Sequence, residues 1–182
     1  MSVTDDTGRL HVLVERVIAA KEQLDEIYEE DPRVVHARPH ASFDVLAQAH
    51  RLFDARALPM PRDYERVLRA HDGIDHLWRL PSGGSLSLFG HRELIAQRSA
   101  DDTAVVSAVV IAASDDGEQV LLVPGPTEQL PAVIQRNANA RVVARFPSIT
   151  AWLEWLHGEM GAELERWRAR RRPSASSKQI ER

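Results

Sequence analysis

The 182-residue chain contains no cysteine, so disulfides, thiolate nucleophiles, cysteine-ligated zinc and iron–sulfur clusters are excluded together. Any metal would have to be held by His, Asp or Glu. The chain also lacks a long hydrophobic run: its most apolar stretch, Ala104 to Ala113, is far shorter than the roughly 20 residues of a spanning helix. Its start, Met1-Ser-Val-Thr-Asp-Asp6, is acidic where a signal peptide is basic, and no uninterrupted apolar region follows. The expectation is a cytoplasmic protein with no membrane partner. Nor is there a large charge of one sign. A net charge of −4 argues against a general nucleic-acid binder, whose affinity comes from neutralising phosphates. What is present, 43% hydrophobic and 27% charged residues, suits a soluble globular chain of about one domain, long enough to bury roughly 70% of its unfolded surface.

Charge is unevenly placed. Residues 1–31 hold nine acids and three bases, a balance of −6, whereas residues 165–172 hold five bases and one acid, a balance of +4. Helices of opposite sign could lie against each other or face different partners. Of the 23 cations 21 are Arg, a compositional habit that carries no functional weight.

From Arg9 to Glu30, Leu10, Leu13, Val14, Val17, Ile18, Leu24, Ile27 and Tyr28 keep a helical period, and Asp31-Pro32 ends it. Arg33 to Ala41 reads as a connector. Ser42 is a good N-cap for a second helix through Leu46, Ala49, Leu52 and Phe53. A third, short helix follows Leu58-Pro59: Pro61 suits the first helical turn, Tyr64, Val67, Leu68 and His71 share a face, and Gly73 suits the left-handed C′ position with Ile74 as the contact of that cap. Beyond Gly73 the pattern turns to short β-rich runs. Pro81-Ser-Gly-Gly84 reads as a turn before a strand at Leu86 to Phe89, Val105 to Ala112 as a strand buried on both faces, and Ser114-Asp-Asp-Gly117 as a hairpin loop returning through Gln119 to Val123. Shorter strands are expected at Ala132 to Gln135 and Arg141 to Ala144. Ser148 then caps a helix through Trp152, Leu153 and Leu156 that continues past Gly158 and Gly161 to the arginines, and the Ser-rich tail from Pro173 is expected to be disordered.

That order of elements resembles the SUKH superfamily, which includes the fungal Smi/Knr cell-wall regulators and many bacterial immunity proteins. The likeness rests on Leu58, Pro59, Tyr64, Leu68 and Asp72-Gly73, then Leu86 to Gly90, the Val109 to Val123 hairpin, and Phe146 with Trp152, Leu153 and Leu156, and it spans roughly residues 43–157. The chain departs from the pattern at Pro61, in a long acidic helix before the domain and in an Arg-rich extension after it. The resemblance implies a single α+β domain, a twisted, mainly antiparallel sheet flanked by helices, at residues 42–158. An acidic helical extension (1–41) would precede it and a helix end with an Arg/Ser-rich tail (159–182) would follow. It further implies a non-enzymatic role without cofactor: binding and neutralising a cognate protein toxin of nuclease or deaminase type. The alternative is a stand-alone regulatory or scaffold module that binds host proteins.

Several constellations invite chemistry. His71-Asp72-x-x-Asp75-His76 with His91 beyond could suggest a metal, but no helical i, i+4 pair is present and Gly73 interrupts the run. His36 and His40 straddle Pro39. Asp115-Asp116-Gly117-Glu118 is too short for an EF-hand, Ser82 to Ser85 lacks the Gly-Lys-Ser/Thr of a phosphate loop, and no Gly-x-Ser-x-Gly elbow occurs. No metal and no catalytic residue is therefore assigned. Arg166, Arg168, Arg170, Arg171 and Arg172 around Trp167 could grip nucleic acid or an anionic membrane, though a basic helix C-terminus is favoured by the macrodipole alone. The acidic face of the first helix could mimic nucleic acid toward a basic toxin cleft. Loops beside the sheet are the better place for a partner. The candidates there are Asp75, His76, Trp78 and Arg79, with Asp115 and Asp116 on the hairpin; Trp78 is the best anchor among them, with burial in the core as the equal alternative.

Overall fold

A computed structural model describes residues 5–28, 36–79, 84–100, 107–125 and 131–171. Its order is α1 (Asp5–Tyr28), β1 (His36–Ala37), α2 (Phe43–Ala55), α3 (Arg62–Ala70), β2 (Ile74–Arg79), β3 (Ser85–Leu88) and α4 (His91–Ala100). There follow β4 (Val109–Ser114), β5 (Gln119–Val123), β6 (Ala132–Arg136), β7 (Val142–Phe146) and α5 (Ile149–Arg171). The strands form one sheet in the order β1 to β7, each antiparallel to its neighbour, so the α+β class and the antiparallel sheet stand. No helix among the described residues is long and apolar enough to cross a membrane.

Local chemistry accounts for several element ends. Ser42 caps α2, its hydroxyl accepting from the Val45 N–H, and Ser148 caps α5 by accepting from Ala151 at 3.1 Å. Gly117 takes φ +93° in the β4–β5 turn. The apolar period of α5 overrides Gly158 and Gly161: Ile149, Trp152, Leu153, Leu156, Met160 and Leu164 all face the core.

Four expectations change. Pro61 is the N-cap residue of α3 and caps it with no side chain, one position before the first turn. Gly73 lies two residues past the C-cap, His71, and Ile74 already belongs to β2. Its φ of +93° serves a different need, since a Cβ there would come within 2.7 Å of the Gly90 nitrogen. The connector contains β1, and α4 follows β3 with no apolar stripe to announce it. The stop at Asp31-Pro32, Pro81 to Gly83, Val105, Arg172 and the tail from Pro173 lie outside the described residues.

One core holds the elements together. Leu10, Val14, Val17, Ile18 and Leu24 of α1 join Phe53, Tyr64, Leu68, Ile74, Leu77 and Trp152 in it, so the acidic first helix is packed against α3, α5 and β2. Burial of each large side chain contributes roughly 1.5–3 kcal/mol relative to exposure. On β5, Val120 and Leu122 enter this core while Leu121, with Ala108 and Ile134, forms a second cluster on the other face. The central strands are thus apolar on both sides, as the β-branched run Val109 to Ile111 suggests.

Candidate functional site

The residues between α3 and β3 that most resemble a reactive cluster are drawn apart by the fold. His71 Nε2 meets Glu15 of α1 at 3.0 Å. Asp72, buried, accepts from the His91 backbone N–H at 2.8 Å and pairs with the His91 ring. Asp75 pairs with Arg38. His76 Nδ1 lies 2.9 Å from the Ser85 hydroxyl, and its backbone N–H donates to Ser87 Oγ. Among the described residues no three or more His, Asp or Glu side chains are placed to hold one metal ion.

His76 owes its position to an irregularity in β2. Ile74 pairs with Leu88 and Trp78 with Leu86, so β2 advances four residues while β3 advances two. His76 absorbs the excess with φ +53°, a left-handed conformation that is rare for a side-chain-bearing residue. The bulge turns the ring toward Ser85 and leaves Trp78 half-buried, packed on the edge of the core.

Arg38 is the centre of a polar knot that sequence reasoning leaves as an unremarkable connector residue. Its Nη1 donates to both Glu93 carboxylate oxygens at 2.8 Å, its Nη2 to Asp75 at 2.6 Å and its Nε to the same carboxylate at 3.2 Å. Hydrogen bonding to Asp75 raises the guanidinium's already high pKa; partial desolvation opposes this, and Glu93 adds to the rise. Glu93 also accepts the Gly90 N–H at 2.9 Å, and Asp72 accepts from His91, so two carboxylates satisfy the first orphan donors of α4. A Gly followed three residues later by Glu is half of a capping box, and that signal is visible in the sequence. Tyr64, fully buried, donates to the Phe89 carbonyl at 2.8 Å beside this knot; burial pushes its phenol well above the usual value, and the charges of Glu93 and Asp72 add to the shift.

The remaining candidates gather at one end of the sheet, because alternate turns of an antiparallel meander share an end. The Ser85 N–H donates to Asp115 at 2.7 Å, Gly84 packs on the Asp116 carboxylate, and a Cβ on Gly117 would lie 3.4 Å from that of Ala138 in the β6–β7 turn. Asn137 organises that turn by accepting from Asn139 and Arg141, both at 3.1 Å. Arg79, Asp115 and Asp116 are exposed here, and His76 is tied to them through Ser85; Asp75 is turned to Arg38.

At the basic end of α5, Arg166 pairs with Glu163 and Arg168 with Glu165, while Arg171 lies over the Trp167 ring at 4.4 Å. Although α1 and α5 lie against each other, these arginines turn to partners on their own helix. No family model matches the chain, and no curated protein matches it either.

Proposed function

We propose that the chain is a non-enzymatic binding protein of the SUKH type, and that it neutralises a cognate protein toxin by occluding it. The observation that carries this reading is the assignment of the reactive-looking residues. His71, Asp72, Asp75, His76 and His91 each fasten one element to another, and the fastened frame presents the β4–β5 and β6–β7 turns beside Arg79 and Ser85 at one end of the sheet. Binding residues concentrate on loops that a rigid scaffold positions. Arg79, Asp115 and Asp116 supply polar contacts there, and the half-buried Trp78 anchors the strand that leads into them.

The test is co-purification from the native host, washed at low and then high salt, followed by expression of each captured protein alone. One stoichiometric partner that arrests growth alone, is silenced by co-expression, and binds at least about tenfold more weakly to Asp116→Arg supports the reading. Several weak host partners, or a partner that is harmless alone, would transfer the chain to the regulatory or scaffold class.

A further inference from the structure

Where α1 crosses the first turns of α3 and α5, an open cleft of about 650 Å³ is lined by three guanidinium side chains, Arg9 and Arg16 of α1 and Arg66 of α3. Two carboxylates line it as well, Asp63 and Glu154. Asp63 is engaged, since the Thr150 hydroxyl donates to it at 2.7 Å and ties the start of α3 to the start of α5. Arg9 and Arg16 form no ion pair among the described residues. They are seven residues apart, hence two turns and about 10 Å along one face of α1, a span that two long side chains can close from either side.

From this we propose that the cleft is a binding site for a phosphate-bearing small molecule. Arginine outnumbers carboxylate at its walls, and the guanidinium fork matches phosphate oxygens two at a time. One carboxylate ligand would satisfy one arginine, whereas Arg9 and Arg16 together suit an anion with several charged oxygens. Thr150 and Asp63 belong to the first turns of α5 and α3, so the positive ends of two helix dipoles flank the same space. Val12, 47% exposed, and Leu13 supply an apolar patch for the organic part of such a ligand, and the volume lies within the range of small-molecule sites. The inference goes beyond the binding role proposed above and stands or falls without it.

Calorimetric titration of the full chain with inorganic pyrophosphate and, separately, ADP tests it. The expected result is saturable 1:1 binding with Kd below about 1 mM, weakened at least about tenfold in Arg16→Ala and Arg9→Ala and changed less than about twofold in Arg51→Ala, an exposed arginine on α2. Both cleft arginines are exposed, and circular dichroism of the variants confirms that they fold. Glu154→Gln should tighten binding several-fold by removing the opposing charge. ADP binding as tightly as pyrophosphate or better assigns the site to an organic phosphate, and weaker ADP binding assigns it to the inorganic anion. No saturable heat up to about 10 mM of either probe, equal loss in Arg51→Ala, or no tightening in Glu154→Gln overturns the proposal.

Discussion

The backbone N–H of Leu58 meets the carbonyl of Phe53 at 3.1 Å, closing the end of α2 around Ala57. With the Ala57 N–H on Asp54 and Ala57 at φ +49°, this is a Schellman turn in which alanine occupies the place usually taken by glycine. A left-handed alanine costs roughly 1 kcal/mol. Ala57→Gly is therefore expected to stabilise the protein by about 0.5–1 kcal/mol, read as a higher urea midpoint with an unchanged m-value. A lower midpoint would show that Ala57 is not held left-handed in solution.

Glycines elsewhere divide by their surroundings. A Cβ on Gly90 would overlap the Asp72 backbone carbonyl, which unlike a flexible side-chain end cannot yield, so Gly90→Ala should cost about 2 kcal/mol or more. Gly158 and Gly161 have nothing within 4 Å of the added carbon and sit inside α5. Alanine at either should add about 0.5–1 kcal/mol. Thermal unfolding of the three variants, shifted in opposite directions, is the check.

Arg38 joins two carboxylates that come from different elements, and a lysine cannot reproduce its fork. Arg38→Lys is expected to lose about 1–3 kcal/mol despite keeping the charge, with amide exchange rising first in the opening turn of α4, where Glu93 is held. Exchange that stays unchanged there would mean that Glu93 caps α4 without Arg38.

Stability should fall in alkali through Tyr64. The folded chain keeps the phenol protonated well above pH 10, while the unfolded chain releases it near pH 10. The unfolded state then binds fewer protons, so stability present below pH 10 is lost as pH rises, with a slope approaching about 1.4 kcal/mol per pH unit from this group. Tyr64→Phe should begin about 1–3 kcal/mol lower, with the Phe89 carbonyl left without its donor, and decline less steeply between pH 9 and 11. Equal slopes in urea titrations across that range would contradict the assignment.

Elements written in neighbouring residues were the readable ones. Ser42 and Ser148 announce their helices, and Ser114 to Gly117 announces its hairpin, because cap and turn chemistry acts over two to four positions. What depends on distant partners was hidden. The start of α4 is held by Asp72, 19 residues earlier, and Arg38 reaches carboxylates 37 and 55 positions away. Gly73 is a clear case: its sequence neighbours suggest a helix cap, yet its conformation answers to Gly90, which approaches only once β2 and β3 have paired. The grouping of Arg79 with Asp115 and Asp116 follows from the meander and was legible only as two separate loops. The arginines of the α1 cleft carried no local signature.

The meander also sets an order of assembly during synthesis. Each strand from β2 onward pairs with the strand made before it, so the sheet can grow strand by strand as translation proceeds, with short turns to close at β4–β5 and β6–β7 and longer stretches where α2 and α3 separate β1 from β2 and α4 separates β3 from β4. The helix α1 is on a different schedule. Its apolar face packs heavily on α5, the last of the described elements, and stays incompletely covered until residues 149–171 emerge. A nascent chain halted before residues 149–171 emerge would hold its sheet formed and α1 exposed to chaperones.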